Sequence, residues 1–352
     1  MPRNSFIDDI IQDDCLDILE RIDLRPFRNK KVLLTGANGL LGSYLTTLIF
    51  IANQKKNLNC QLTCVSLHGP NKIVKNLLRD KKIKFSKIDL AKDFDLGQSK
   101  FNFIFHAAGY GQPAKFVKDP FSTININVHA TSKLLEVTKR SRGRFIFFSS
   151  AEIYGNIPKE LGAVKEEFEG SISISNPRSV YGESKRMGEV LTLAFRREYG
   201  VDAKIVRISH VYGPGGSTND SRVLFEFIKK GLTKDKIALL DRGEAVKTYG
   251  YISDVISMIV YVALNSKDTV YNIGGRDSLS ILELARVIGN VCQVPVLVPK
   301  RSVRLAYISK DSRYVKLDLT RILKEMKRFK FTSFEKGLAR TIDWFRFISK
   351  MQ

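Results

Sequence analysis

Straight after an apolar stretch, "KVLLT", the chain places glycines at 36, 39 and 42 and then runs on as "LLGSYLTTLIFIAN". A strand that ends in glycines and re-enters as a helix gathers bare backbone N–H groups and a helix N-terminus at one point, a natural receptor for negative oxygens. The first glycines allow a tight turn and close approach of a diphosphate. Gly42 lets the helix lie close on the sheet. The spacing is GxxGxxG rather than the dehydrogenase GxGxxG, with the same physics. Gly36, Asn38, Gly39, Leu40, Leu41 and Gly42 are therefore candidate cofactor contacts.

The rest of the chain supports this reading. Further strands are predicted at "CQLTCVSL", "KIKFSKIDL", "FNFIFHAAG", "GRFIFFSS" and "AKIVRIS", with long helices at "PFSTININVHATSKLLEVTKR" and "SVYGESKRMGEVLTLAFRREYG". Nearly continuous apolar strands alternating with helices indicate a parallel sheet covered on both faces. Right-handed crossovers then make it a doubly wound, Rossmann-like α/β fold. Beyond about residue 210 the elements become short and mixed, as in a smaller α/β substrate-binding domain. The expected organisation is an N-terminal helical extension over 1–29, a dinucleotide-binding domain over 30–210 and a mainly substrate-binding domain over 211–345. Later segments, such as 247–274, are expected to return to the first domain.

Composition narrows the function. The 352 residues carry a formal charge of +22, concentrated in "NQKK", "RDKKIK", "KRSRGR" and "MKRFK". These clusters are separated and no nucleic-acid motif accompanies them, so a basic surface attractive to anionic substrates is expected rather than a nucleic-acid partner. No apolar run approaches the roughly 18 residues of a membrane span, and the acidic N-terminus lacks an apolar signal core, so no membrane insertion and a cytoplasmic location are expected. The four cysteines are scattered without a histidine cluster. They read as buried thiols, with no metal site and no disulfide framework.

Chemistry enters at "VYGESK". Tyr181 and Lys185 stand four apart and share a helix face. A lysine cation beside a phenol lowers its pKa, so the phenolate can take a hydroxyl proton while a nicotinamide oxidises the same carbon. Ser150, at the end of "GRFIFFSS", is placed to bind that alcohol. On the second strand no acid follows "CVSL" to hold an adenosine ribose. His68 stands there instead, which leaves NADP open beside NAD. Asp89 is a candidate contact to the adenine amino group.

Taken together, "TGANGLLG", "IDL", "HAAG", "NINVHAT", "SSAEIYG", "YGESK", "RISHVYGP", "YGYISD" and "YNIGG" resemble the extended short-chain dehydrogenase/reductases, specifically the NAD-dependent nucleotide-sugar epimerase/dehydratase group, over roughly residues 30–345. The resemblance implies a tightly held NAD that is recycled during catalysis. It also implies oxidation of the sugar C4 hydroxyl, followed by epimerisation, elimination or decarboxylation. By the same resemblance Asp89 and Leu90 contact adenine, Ala107, Ala108 and Gly109 line the cofactor, and Asn127 is the buried asparagine of the long helix. Ser150, Tyr181 and Lys185 are the catalytic triad. His210 faces cofactor and diphosphate, Arg222 opens the substrate-domain helix, and Lys247 stands where an arginine often meets the diphosphate. A homodimer through helices 121–141 and 179–199 and a role in surface polysaccharide precursor synthesis are the group-level expectations. Those two helices also carry more apolar positions than one sheet contact requires.

The branch turns on Ala151 and Glu152. The dehydratases of the group carry an Asp-Glu pair here. Ala151 removes the acid, while Glu152 keeps a carboxylate able to move a proton. The broad expectation is a nucleotide-sugar epimerase/dehydratase. The alternative is a UDP-glucuronate decarboxylase, whose pattern resembles "SAEIYG" and the segment around Arg178. Ser184 and His210 depart from that pattern. A non-catalytic dinucleotide-binding protein is a third reading, weakened by the presence of both Tyr181 and Lys185.

Overall fold

The computed structural model describes residues 5–300 and 314–349; the first four residues of the expected N-terminal extension lie outside these. After helix α1 (Ser5–Arg21) comes the glycine-linked unit: strand β1 (Lys31–Thr35), helix α2 (Leu40–Lys56) and strand β2 (Gln61–Ser66). Helix α3 (Lys72–Leu77) and strands β3 (Ile83–Lys87) and β4 (Phe103–His106) follow. Next come α4 (Pro113–Lys118), α5 (Pro120–Ile124) and α6 (Ala130–Ser141). Strand β5 (Arg144–Ser150), helix α7 (Ser179–Tyr199) and strand β6 (Asp202–Ile208) complete the first half.

The large sheet has the order β10-β6-β5-β4-β1-β2-β3, with β10 (Val270–Ile273) arriving late from the second half. Every pairing in it is parallel. Its central strands β1, β4, β5 and β6 bury on both faces, whereas the edge strand β3 keeps only Ile83 buried. The order reverses between β1 and β4, so the carboxyl ends of these two strands splay apart into a crevice.

Past β7 (His210–Tyr212) come α8 (Val223–Thr233), β8 (Ile237–Ala238), β9 (Val246–Tyr251) and α9 (Ile252–Asn265). Strand β11 (Asp277–Ser280), α10 (Ile281–Cys292) and β12 (Val296–Leu297) follow, then β13 (Tyr314–Val315), α11 (Thr320–Glu325) and α12 (Phe334–Ser349). A mixed sheet gathers β11, β9, β13 and β7, and a two-stranded one joins β12 to β8. Helix α9 packs on β6 and β10, so this late segment rejoins the large sheet. Helix α10 begins with a capping box: Ser280 accepts from the Glu283 N–H and Glu283 accepts from the Ser280 N–H.

One expected helix is interrupted. Residues 120–141 do not form a single α-helix, because Asn125–His129 make a π-helical turn between α5 and α6. Apolar periodicity cannot register the one added residue per turn. The turn is held by His106, buried at the end of β4. Its Nε2 lies 3.1 Å from the Ile126 carbonyl and its Nδ1 2.7 Å from Thr35 Oγ1. A carbonyl only accepts, so Nε2 carries the proton and Nδ1 accepts from the threonine. Burial and the neighbouring Lys185 charge push His106 down to about 3, which keeps it neutral.

The cysteines are free thiols: Cys15, Cys60 and Cys64 are buried as expected, whereas Cys292 is partly exposed. No helix among the described residues is long and apolar enough to cross a membrane. Helix α1 packs along α2, α9 and α12. Its Asp14 is buried and accepts from Tyr44 OH at 2.8 Å and Tyr251 OH at 2.8 Å, with Arg340 at 3.1 Å. Burial outweighs these partners and raises Asp14 to about 6. A carboxyl raised above its unfolded 3.8 contributes stability below that value and loses it as pH rises through about 6. Against Asp14→Asn, the wild type is expected to gain on the order of 2 kcal/mol on acidification from about pH 7 to about pH 4. Urea denaturation of both proteins across this range checks it. Parallel curves would show that Asp14 does not titrate.

Candidate active site

The crevice at the β1/β4 switch opens into a cleft of about 1200 Å³ running from the glycine turn to α8 and β9. Gly36 takes φ +72°, and a Cβ there would stand 2.7 Å from the Ala107 carbonyl. At Gly42 a Cβ would stand 2.2 Å from the Gly36 carbonyl oxygen. Side chains at 36 and 42 would fill the cradle. Asn38 braces the turn from behind: its amide donates to the Gly69 carbonyl at 2.8 Å and its Oδ1 accepts from the Asn71 N–H at 2.9 Å. Leu40 and Leu41, opening α2, line the cleft beside the glycines.

Across the cleft, Ala107, Ala108 and Gly109 follow β4 along its wall. Behind Gly109 lie Asn127 Oδ1 and Lys185 Nζ, 3.4 and 3.5 Å from where its Cβ would be. Asn127, on the π-helical turn, is wholly buried. Its amide donates to Ser184 Oγ at 2.9 Å, whereas its Oδ1 has no partner. Ser184 donates in turn to the Tyr181 carbonyl at 3.1 Å. The residue that departed from the expected pattern thus ties the π-helical turn to α7. An unpartnered buried acceptor beside a bare backbone wall, facing a glycine cradle, fits a dinucleotide cofactor.

Ser150 ends β5, and Tyr181 and Lys185 reach the same spot from α7. Tyr181 is hydrogen-bonded to Ser150, yet burial pushes the phenol up to about 12. Burial also pushes Lys185 down to about 7, with Glu189 opposing. The ammonium donates to the Phe148 carbonyl at 2.7 Å and lies 5.9 Å from the Tyr181 ring centroid. The expected lowering of the phenol pKa by its lysine is therefore not realised here, because desolvation is the larger effect. Phe116 of α4 stacks on the Tyr181 ring with centroids 4.8 Å apart and planes 10° apart, and shields the phenol from water. No motif in the sequence pointed to this aromatic.

Beside the triad, the Ser150 hydroxyl accepts from the Glu152 N–H at 3.2 Å. The Glu152 carboxylate lies 3.5 Å from the Arg178 guanidinium, which also sits 5.7 Å over the Phe116 ring. Ala151 fills the position next to it and is buried. Further along, His210, Arg222 and Lys247 line the cleft. Arg222 is bound to Asp220 at 2.7 Å and donates to the Val211 carbonyl at 3.2 Å, so part of its charge is already engaged.

Four sequence candidates stay outside the walls of the cleft, one of them Asn127, buried behind Gly109. His68 is exposed beyond β2. Asp89 caps the Ala91 N–H at 3.0 Å, and Leu90 is buried in the core beneath the sheet. The glycine turn, the β4 wall, the triad, Glu152, Arg178, His210, Arg222 and Lys247 do converge on one cleft.

A doubly wound sheet, a glycine cradle at its switch point and a Ser-Tyr-Lys triad at the adjoining strand end define a short-chain dehydrogenase/reductase type of protein. The sequence profile of the NAD dependent epimerase/dehydratase family matches residues 32–274, and the chain belongs to this family. UDP-glucuronic acid decarboxylase 1 of Xenopus tropicalis is 26% identical over 261 residues, which is 74% of this chain and 59% of that protein. The enzyme of the same name from Arabidopsis thaliana is 26% identical over 318 residues, 90% of this chain and 70% of that protein. The chain thus spans about three fifths of the length of the frog relative. Among solved structures, DesIV (dTDP-glucose 4,6-dehydratase) from Streptomyces venezuelae with NAD bound superposes with a TM-score of 0.79 at 22% identity, over 91% of this chain and 98% of that one. A mutant UDP-glucuronic acid 4-epimerase from Bacillus cereus, in complex with NAD and a fluorinated UDP-glucuronic acid, gives 0.76 at 23% identity, over 90% and 99%. These likenesses confirm the fold.

Gly42→Ala tests the cradle. The added methyl meets the Gly36 and Ala37 backbone, so the turn itself must shift. NAD affinity is expected to fall at least tenfold, with about 1–3 kcal/mol lost in stability. Calorimetry with NAD and thermal melting check it, and wild-type affinity would mean that the turn does not hold the cofactor.

Proposed function

We propose that this protein oxidises the C4 hydroxyl of a nucleotide-linked uronic acid and then removes the C6 carboxylate as CO2, with UDP-glucuronate as the best-supported substrate. The observation that carries the reading is the Glu152–Arg178 pair beside Ser150 and Tyr181, with Ala151 where an acid would stand. A 4,6-dehydratase needs an acid to protonate departing hydroxide, and position 151 cannot supply one. A uronate brings a carboxylate that a guanidinium can hold in a paired geometry. The decarboxylase names of the frog and plant relatives agree with this substrate class.

Bound NAD supplies reversible oxidation at C4. Tyr181 takes the hydroxyl proton, and Ser150 donates to the alkoxide that forms. A protonated Lys185 offsets only part of what burial costs the phenolate that starts the step. Once C4 is a ketone, breaking the C5–C6 bond sends its electron pair to the C4 oxygen, where Ser150 and Tyr181 donate. Glu152 then handles the proton that C5 receives. Stacked Phe116 keeps water from the phenol face.

A second reading, epimerisation of the same uronate, rests on Glu152 as a base at the sugar. Incubating the protein with UDP-glucuronate in deuterated water, followed by mass spectrometry, separates the two. Loss of CO2 with one deuterium gained is expected. A new isomer that keeps its carboxylate and gains one deuterium would favour epimerisation, and no conversion across UDP-, dTDP-, GDP- and CDP-sugars would sink both. Glu152→Gln keeps the shape but cannot carry the proton. It is expected to slow deuterium entry by about a hundredfold and to accumulate a 4-keto sugar.

We also propose that the protein acts as a homodimer. Helices α5 and α7 pack side by side and leave Phe121 78% and Val190 56% exposed, with Met187 at 48% and Leu193 at 41% beside Val190 on α7. Such a patch on paired helices suits a second copy of the chain. Light scattering is expected to give a dimer for the wild type and a monomer for Val190→Glu. A monomeric wild type at micromolar concentration would overturn the assignment.

A further inference from the structure

Behind the catalytic hydroxyls lies a buried ionic cluster that the scheme above does not use. Glu189 follows Lys185 by one turn of α7 and is buried, with Arg207 of β6 against it. Arg207 Nη2 donates to Glu189 Oε2 at 2.7 Å and its Nε lies 3.1 Å from Oε1. Ser149, the neighbour of Ser150 on β5, donates to Glu189 Oε1 at 2.5 Å. The remaining Arg207 nitrogen, Nη1, donates to the Glu166 carbonyl at 2.6 Å and to Tyr154 OH at 3.0 Å. Tyr154 donates onward to Asn272 Oδ1 at 2.6 Å.

We propose that Glu189 and Arg207 are a positioning pair that sets the charge state of Lys185 and fixes the strand end carrying Ser150. The inference rests on membership of the family, on the geometry and on the burial of Lys185; the identity of the sugar does not enter it.

Three observations carry it. First, the pair adjoins both halves of the triad along the chain. Glu189 shares the helix face of Lys185 at a four-residue spacing, and through Ser149 it holds the residue before Ser150. Second, a purely structural need does not call for buried ions, since apolar side chains of similar volume stabilise a core equally well or better. Third, Lys185 stands close to neutrality: burial lowers it to about 7 and Glu189 is the charge that opposes this. A small change in the field beside it therefore changes its protonated fraction at neutral pH.

The other groups around Lys185 are accounted for. From α7, Tyr181 lies in front of it. From β4, His106 is held neutral between Thr35 and the Ile126 carbonyl. The β5 strand contributes the Phe148 carbonyl and the Phe147 ring, 5.0 Å from the ammonium. The π-helical turn contributes the uncharged Asn127. Glu152 acts on Tyr181, and Tyr154 and Glu166 meet Arg207 on its far side. Glu189 is thus the anion set against Lys185, and Arg207 is the cation that tempers it.

The two members of the pair should move Lys185 in opposite directions. Glu189→Gln removes the anion and leaves the guanidinium, so the Lys185 pKa falls. Arg207→Gln frees the carboxylate, so it rises. Each shift is expected to be roughly one unit. The measurement is an NMR titration of full-length protein carrying 13Cε-lysine, with and without saturating NAD, the Lys185 signal being assigned by its loss in Lys185→Arg. Calorimetric NAD affinity, followed against pH, should track the same titration. Should a single variant fail to fold, Glu189→Gln combined with Arg207→Gln leaves no unpaired ion, and Lys185 is expected below its wild-type value because Glu189 is the nearer charge. Opposite shifts, or this downward shift in the double variant, support the proposal. Unmoved titrations, or shifts of one sign in both single variants, would overturn it and leave the pair a packing feature.

Discussion

Everything in the cleft depends on how closely α2 can approach the carboxyl ends of β1 and β4. The approach is possible only because residues 36 and 42 lack a Cβ: one added atom at either would collide with backbone, and backbone cannot move aside. With both glycines in place, the first turn of α2, the 107–109 wall and the triad face one another across a single crevice. The parallel order of the sheet, reversing between β1 and β4, puts that crevice where both strands end.

The side chains proposed for catalysis are then held by polar contacts between elements far apart in sequence. His106 ties the π-helical turn to β1 and β4, that turn carries Asn127, and Asn127 reaches α7 through Ser184. On the other side, Glu189 and Arg207 join α7 to β5 and β6. Lys185 sits between these two networks. Helix α1 contributes a third tie: Asp14 binds Tyr44 of α2, Tyr251 of β9 and Arg340 of α12 together, so the N-terminal segment braces the helix that carries the glycine turn.

Motif reasoning succeeded where residue type and local spacing were enough. The glycines, the β4 wall and the Tyr181–Lys185 pair all depend on short stretches, and all meet in one cleft. It erred where the answer depends on surroundings. A lysine four residues from a tyrosine was expected to acidify the phenol, but burial outweighs it and the ammonium turns to the Phe148 carbonyl. The break in helix 120–141 was missed because it is stabilised by a histidine from a distant strand. Asp89 and His68 are read from their places just past two strands, and the local turns carry both outside the cleft walls.

By itself, the sequence determined the doubly wound sheet, the glycine turn at its switch point and the Ser150, Tyr181 and Lys185 side chains that gather beside it, because strand alternation, Cβ-less turns and helical spacing are local properties of the chain. Only the tertiary structure decided the electrostatics of that triad. Phe116 over Tyr181, the neutral His106, the Glu152–Arg178 contact and the Glu189–Arg207 pair each join residues from separate segments. Whether a group is charged inside a protein depends on the water it has lost and the charges brought near it, and both are set by folding rather than by neighbours in the chain.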